Sequence, residues 1–226
     1  MSEWWTYRLS DFLLFSPETY YRLFALYNAA IWPAQIAVIA VGLAILTLLV
    51  WRPHWAGPAI VILLAVCWAW VAWGYFAARY ATINWAATYF AWAFVLEALL
   101  LIQSGTVSGR LSFAEARRSL WTTMGVTLFA FALLLQPLIG PLAGREWAGL
   151  ELFGVAPDPT VLATLGVLLA AERLRWELLV IPLLWCVVTG ATLWAMSAPD
   201  ALLMPMAALL VVLLAIYRSH CASAGG

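Results

Sequence analysis

The sequence predicts an all-α integral membrane protein of about seven transmembrane helices, preceded by an N-terminal interfacial helix. Of its 226 residues, 66% are hydrophobic and only 10% are charged, and the mean hydropathy is +0.95. A soluble domain is about half apolar and a quarter charged, so this composition is typical of a multi-pass membrane protein. Several apolar runs are also long enough to cross about 30 Å of hydrocarbon.

Residues 1–28 form the predicted interfacial segment. Ser10-Asp11 and Ser16-Pro17 both resemble helix starts, with a capping side chain followed by an acid or a proline. The second of these helices mixes aromatic rings with a few charges, which suits the headgroup zone of a bilayer. The opening stretch MSEWWTYRLSDFLLF has no basic n-region, so we expect no cleavable signal peptide.

The transmembrane bundle is predicted over residues 29–218, and a flexible tail over residues 219–226. A helix needs about 20 apolar residues to cross the hydrocarbon, and five runs meet that length while a sixth is slightly shorter. These runs lie at 29–50, 58–78, 84–104, 120–140, 177–197 and 201–218.

The stretch at 152–171, LFGVAPDPTVLATLGVLLAA, decides the number of spans. Pro157-Asp158-Pro159 interrupts it, and Asp158 with Pro159 would make a good N-cap and first helical residue. A helix from there to about Arg173 would be about 24 Å long, which is short but workable as a span. We favour seven spans. A segment that dips into the membrane and returns, leaving six spans, is the alternative.

The arginines predict the orientation in the membrane. With seven spans, four arginines lie on the N-terminal side and seven on the opposite side, three of them in the 110–118 loop. Because cytoplasmic loops are enriched in basic residues, the N-terminus is then outside and the C-terminus is cytoplasmic, in a bacterial cytoplasmic (inner) membrane. With six spans, both termini would be cytoplasmic.

The two halves of the chain share a spacing that would fit a 3+1+3 arrangement of spans. Pro33 precedes Gly42 by nine residues, and Pro157 precedes Gly166 by nine residues. Some transporters are built from such repeats, with one span as a linker. Glycine and proline are common in this chain, so chance recurrence is the alternative interpretation.

Five polar residues in or near the spans form the candidate site for a ligand or an ion. Glu97 lies well inside the third run, where an ionisable side chain indicates a functional role. Asp158 would lie at a helix N-terminus within the membrane, which is a position that binds polar ligands. Structural alternatives stay open, because Glu97 could join helices by hydrogen bonds and Asp158 could serve only as a cap. The candidate residues are Asn28, Gln35, Asn84, Glu97 and Asp158.

The segment YNAAIWPAQ places two of these amides beside a helix breaker. Pro33 frees the carbonyl groups one turn back, and Asn28 or Gln35 could satisfy the loosened backbone. Alternatively, the kink exposes both amides to a cavity.

Three stretches resemble an uncharacterised bacterial family of multi-pass membrane proteins, known only as a domain of unknown function. They cover residues 15–35, 83–101 and 153–169. The most specific part is the pattern YNxxxWPxQ at the first span, which falls on Tyr27, Asn28, Trp32, Pro33 and Gln35. The resemblance implies the topology and implies no activity.

The sequence lacks the residues that several classes of function require. All 11 basic residues are arginine, so no lysine is present to form a Schiff base. The only two histidines, His54 and His220, lie in a loop and at the C-terminal end, and no nucleophilic triad, glycine-rich phosphate loop or metal-ligand motif is visible. The zero net charge argues against a nucleic-acid partner. We therefore expect no metal and no cofactor, and we favour a role without enzymatic activity, with a membrane enzyme as an open alternative.

The sequence thus predicts a protein of the lipid bilayer that binds or transports a small molecule or ion through an intramembrane polar site. One alternative is an accessory or assembly subunit of a membrane complex or homo-oligomer, whose polar residues only join helices. Another is a protein that holds a quinone or carotenoid among its 15 tryptophans, several of which cluster at Trp68, Trp70, Trp73, Trp85 and Trp92.

Overall fold

The computed structural model describes residues 15–113 and 119–224, with side chains described as far as Cys221. The helix start predicted at Ser10-Asp11 lies outside these residues. The described residues form nine α-helices and no strand. The helices are α1 (Pro17–Ile31), α2 (Ala34–Trp51), α3 (Ala56–Trp70), α4 (Ala87–Ile102), α5 (Leu120–Ala130), α6 (Gln136–Leu142), α7 (Pro157–Ala170), α8 (Val180–Ala195) and α9 (Leu203–Ala224).

Short π-helical turns lengthen three of these helices. Val71–Ala77 continues α3, Gln103–Val107 continues α4, and Phe131–Leu135 joins α5 to α6. With these extensions, six continuous helical stretches in the described residues are long and apolar enough to cross a membrane. They are Ala34–Trp51, Ala56–Thr82, Ala87–Val107, Leu120–Leu142, Trp176–Ala195 and Leu203–Cys221. Each overlaps one of the six apolar runs predicted from the sequence, with ends that differ by up to five residues.

The start of the bundle is broken at Pro33. Ser16 caps α1 by accepting the backbone N–H of Thr19 at 3.3 Å, as the Ser-Pro-Glu pattern predicts. The helix ends at Ile31, the Trp32–Pro33 peptide bond is cis, and α2 begins at Ala34. Across the break, the Gln35 amide donates to the Asn28 carbonyl at 2.6 Å. Gln35 therefore satisfies a backbone acceptor that the interrupted helix leaves without an amide donor.

Helix α7 lies at the centre of the bundle, and every one of its residues is buried. It packs mainly against α5, with α3, α8 and α9 around it. At its first end, Asp158 borders the same cavity as Arg145 and Asp200. Beyond its last turn, the Glu172 backbone N–H donates to the Ser112 carbonyl at 2.9 Å. We call these the Arg145 end and the Ser112 end of the bundle, and α7, about 21 Å long, runs from the first to the second.

Two predictions about α7 are wrong in detail. The helix begins at Pro157, with Ala156 in the extended conformation of an N-cap residue, so Asp158 is not the cap. Trp185 and Thr189 on α8 donate to the Asp158 carboxylate, and these donors hold the side chain away from the backbone N–H groups of its own helix. The helix also ends at Ala170 instead of about Arg173, because Ala171 is extended.

A close crossing of two glycines holds α7 against α5. A Cβ atom on Gly125 would lie 2.5 Å from the Gly166 carbonyl oxygen, and a Cβ on Gly166 would lie 2.7 Å from the Gly125 oxygen. Small residues at a helix–helix contact allow the backbones to approach closely, as is common between membrane helices. Most residues of α2 are by contrast exposed or half-buried, so α2 and α7, which a 3+1+3 arrangement would pair, occupy different environments.

Candidate functional site

One arginine and three carboxylates meet at the Arg145 end of α7. Asp158 lies in the first turn of α7, Arg145 and Glu151 lie in the segment that precedes this helix, and Asp200 lies between α8 and α9. All four residues border one small cavity. We call these four residues the acidic cluster.

Asp158 is fixed by two neutral donors from α8. Its side chain is buried, the Trp185 indole N–H donates to its Oδ1 at 2.7 Å, and the Thr189 hydroxyl donates to its Oδ2 at 2.9 Å. The two donors are four residues apart, so they lie on the same face of α8. The carboxylate is therefore held in one orientation without a direct ion pair.

Arg145 connects the other two carboxylates. Its Nη1 lies 3.2 Å from Glu151 Oε1, and its Nη2 donates to Asp200 Oδ2. Its guanidinium also lies over the ring of Tyr21, 4.8 Å from the centroid. Because these groups are mostly withdrawn from solvent, their attraction is screened less than that of a surface ion pair.

The charges in the acidic cluster do not balance. One guanidinium faces three carboxylates, so the fully ionised cluster would carry an excess of two negative charges. Burial raises the pKa of Glu151, and the charges of Asp158 and Asp200 act in the same direction against the opposing effect of Arg145. The cluster therefore favours the binding of a proton or another cation.

Two acceptor atoms around the cavity have no donor among the described residues. They are Gln136 Oε1 and Asp200 Oδ1, and both atoms are buried. Gln136 is 7% exposed, and its Nε2 donates to the Met204 sulfur at 3.7 Å. The cavity has a volume of about 20 Å³, which is room for one group the size of a water molecule. No three His, Cys, Asp or Glu side chains in the described part of the chain are grouped to hold a metal ion.

Two larger cavities adjoin the acidic cluster. The first, which we call the apolar groove, has a volume of about 690 Å³ and lies between α6 and α9, with Asp200 as the one charged residue in its wall. The second, which we call the polar vestibule, has a volume of about 560 Å³ and lies beside α1, with Arg145 in its wall. The cluster thus lies between a polar opening and an apolar one.

Two of the residues predicted from the sequence support the segment that carries Glu151. The Asn28 amide donates to the carbonyl oxygens of Ala148 and Leu150, both at 2.9 Å. Gln35 in turn donates to the Asn28 backbone. These amides therefore tie the broken start of the bundle to the loop beside the acidic cluster, and they are not in the cavity wall.

Asn84 and Glu97 lie elsewhere. The Asn84 side chain donates to the Tyr80 hydroxyl at 3.1 Å and accepts the Ala86 N–H at 3.0 Å, just before α4. Glu97 is completely buried in α4, and neither carboxyl oxygen has a hydrogen-bond partner among the described residues. Neither residue borders the cavity of the acidic cluster, so of the five predicted residues only Asp158 does.

The tryptophans considered as an aromatic pocket mostly point outward. Trp73, Trp85 and Trp92 are between 67% and 69% exposed, which suits contact with lipid. Trp68 is buried, and its indole donates to the Thr164 hydroxyl at 2.8 Å. This group of tryptophans therefore does not surround a common pocket.

Sequence reasoning missed three members of the acidic cluster as site residues: Arg145, Glu151 and Asp200. They lie in connections between apolar runs, where charged residues are ordinary, and no local pattern distinguishes them. Only the packing of the segment before α7 against the α8–α9 connection brings them to Asp158.

Comparison with known proteins gives a family and no activity. Residues 17–225 match the model of a family of unknown function, DUF6064, so the chain belongs to that family. No curated protein and no solved structure matches the chain.

Proposed function

We propose that this member of the family is a seven-pass integral membrane protein that binds a small cation at the acidic cluster and carries it across the membrane. The observation that carries the proposal is the meeting of three mostly buried carboxylates with a single arginine at the start of the central helix. Asp158 lies in the first turn of α7, and a charged group within a membrane-spanning helix is costly and marks the pathways of ions and substrates. Transporters also place their sites beside helices that begin inside the membrane.

The route of α7 supports the count of seven passes. The helix connects the Arg145 end to the Ser112 end, α8 returns to Asp200, and α9 leads back until Arg218 donates to the Leu169 carbonyl at 3.0 Å. Six flanking spans and one short buried span then alternate in direction. A helix enclosed by others can be short, because its ends do not have to reach the headgroups themselves.

The proposed orientation places the N-terminus outside and the Ser112 end in the cytoplasm. Arg110, Arg173 and Arg175 lie near the Ser112 end, with Arg175 donating to the Arg110 carbonyl. A concentration of arginine on one side is typical of the cytoplasmic face of a bacterial inner membrane. The acidic cluster would then open through the polar vestibule towards the outside.

Flux through the purified protein tests the proposal. The protein is reconstituted into liposomes with an imposed membrane potential, and uptake of protons, sodium and methylammonium is followed with an internal pH dye and radiolabel. We expect the wild type to carry at least one of these cations and Asp158→Asn to lose the flux while it stays folded. Glu177→Gln is the matched control, because Glu177 is 53% exposed and remote from the cluster. A folded wild type without cation flux contradicts transport, and a partner that co-purifies would then favour an accessory subunit.

A further inference from the structure

We propose that the acidic cluster and the apolar groove together form one site for an amphipathic organic ammonium ion, with its charged head in the cluster and its apolar body in the groove. This inference rests on the proposed function and names the substrate class of the same site. It depends on the shared wall of the two cavities, on the unpaired acceptors and on the charge of the cluster.

The cavity of the cluster and the groove share a wall. Ile139, Asp200 and Leu203 border both spaces, so the two spaces adjoin at these side chains and one ligand would have to displace them to occupy both. Asp200 is the one charged residue of the groove wall, and it stands where the groove meets the cluster. A ligand with a charge at one end matches this arrangement better than one with charge along its length.

The buried acceptor atoms that have no hydrogen-bond donor indicate the chemistry of the ligand's charged head. Gln136 Oε1 and Asp200 Oδ1 are buried acceptors that no side chain or backbone group in the described part of the chain satisfies. A buried acceptor without a donor is unfavourable, so the site favours a ligand that donates hydrogen bonds. A primary ammonium group donates three, is about as large as a water molecule and supplies positive charge where carboxylates are in excess. An anionic head would meet like charge, and a neutral head would leave the imbalance in place.

The chemistry of the body follows from the groove. Leu203, Met206 and Leu210 follow one another at helical spacing along one face of α9 and form an apolar wall. Pockets for drug-sized ligands have volumes of about 300–1,000 Å³ and mostly apolar walls, and the groove is of that size. A lipid acyl chain would also fit such walls, but it brings no donor to Asp200. The charged end of the groove therefore favours an ammonium ion over a plain hydrocarbon chain.

Binding of three ligands with the same body tests this inference. The full-length protein in nanodiscs is titrated with 4-phenylbutylammonium, 4-phenylbutanol and 5-phenylpentanoate, and binding is measured calorimetrically. We expect the ammonium to bind at least about tenfold more tightly than the alcohol, and the carboxylate to bind least, because only the head differs. Equal affinity of the ammonium and the alcohol would overturn the proposed role of the cluster.

Variants locate the two halves of the ligand. Asp200→Asn should weaken ammonium binding by about tenfold or more and leave the alcohol unchanged, whereas Ala207→Trp fills the groove and should weaken both. If Asp200→Asn does not fold, Gln136→Leu serves as a second variant of the residues that would contact the charged head. Glu177→Gln is the control and is expected to bind the ammonium as the wild type does. Unchanged ammonium binding in folded Asp200→Asn and Gln136→Leu variants would overturn the inference.

The two proposals fail in different ways. If the ammonium binds but no cation flux is seen in liposomes, the proposal of transport is wrong and the proposal of an ammonium-binding site stands. If small cations are transported but the ammonium does not bind, the proposed substrate class is wrong and the proposal of cation transport stands.

Discussion

Trp185 and Asp158 are joined by a hydrogen bond of 2.7 Å between the indole N–H and the carboxylate Oδ1, across 27 residues of sequence. The indole is itself held by edge-to-face contacts with Phe76, Phe90 and Phe94, at centroid distances of 5.1–5.5 Å. Such contacts fix the plane of a ring. The position of the charged group in α7 therefore depends on aromatic packing between α3, α4 and α8.

Trp185→Phe should destabilise the protein and disturb the acidic cluster. The substitution keeps an aromatic ring among its neighbours but removes the donor to Asp158, and a hydrogen bond to a charged group contributes about 1.5–3 kcal/mol. We expect the free energy of unfolding in mixed micelles to fall by that amount. Trp194→Phe is the control, because Trp194 is 61% exposed and should change stability by less than about 0.5 kcal/mol. An equal loss in both variants would contradict the special role of Trp185.

Thr160→Val should destabilise α7, whereas Thr160→Ser should not. The buried Thr160 hydroxyl accepts the Gly154 N–H at 2.8 Å and donates to the Ala156 carbonyl at 2.7 Å, which fixes the turn that leads into the helix. Valine has nearly the same shape but leaves the Gly154 N–H without an acceptor, at a cost of about 1–3 kcal/mol. Serine keeps both bonds. The measurement is the free energy of unfolding of the two variants, and a serine variant as unstable as the valine variant would show that the hydroxyl is not responsible.

The six long apolar helices were predictable because each depends on a local property. The apolar run at 120–140 corresponds to the helical stretch Leu120–Leu142, and its composition predicts a helix, since a run that crosses lipid has no other partner for its backbone. The start of α7 was less predictable. Pro157-Asp158-Pro159 correctly indicated a helix start, but Ala156 is the N-cap, and the Asp158 carboxylate instead accepts from α8, a contact that no local pattern contains.

Gly125→Ala should disrupt the contact between α5 and α7. The added Cβ would lie 2.5 Å from the Gly166 carbonyl oxygen, so the helices must separate and lose packing along their contact. Overpacking of this kind typically costs about 1–3 kcal/mol or more. Gly149→Ala is the matched control, because its Cβ would meet its nearest neighbour at 3.6 Å, an ordinary contact. Thermal unfolding in detergent should show a lower midpoint for the first variant only, and equal midpoints would contradict the close crossing.

Glu151 should make the protein less stable as the pH rises. Burial, followed by the charge of Asp158, raises the pKa of Glu151 above the value of 4.5 expected for the unfolded chain. Between these two pKa values the folded state binds more protons than the unfolded state, so the stability present below pH 4.5 is lost as the pH rises towards the folded pKa. Unfolding free energies measured across this range should fall with pH in the wild type, and the slope should be smaller in Glu151→Gln. An identical slope in the two proteins would assign the effect to another group.

The site was predictable only where one residue was unusual in its own surroundings. Asp158 stands between two prolines inside an apolar stretch, which identified it, whereas Asp200 and Arg145 stand in ordinary connections. Asp200 and Arg145 are 55 residues apart, and their ion pair exists because α8 returns the chain to the Arg145 end. A single sequence contains no signal for such a contact.

Glu97 offers a test of whether a buried acid is structural or functional. Its carboxyl group is 0% exposed and has no hydrogen-bond partner among the described residues. A polar group in that situation costs about 1–3 kcal/mol, and methionine fills a similar volume without the cost. If the Glu97 carboxyl group has neither a structural partner nor a function, Glu97→Met should raise the free energy of unfolding. Glu97→Gln, which stays polar, should change the free energy of unfolding little. A Glu97→Met variant that is less stable than the wild type would mean that the carboxyl group has a partner in the membrane. A more stable Glu97→Met variant that loses cation flux would instead mean that the chain keeps this unfavourable group for its function.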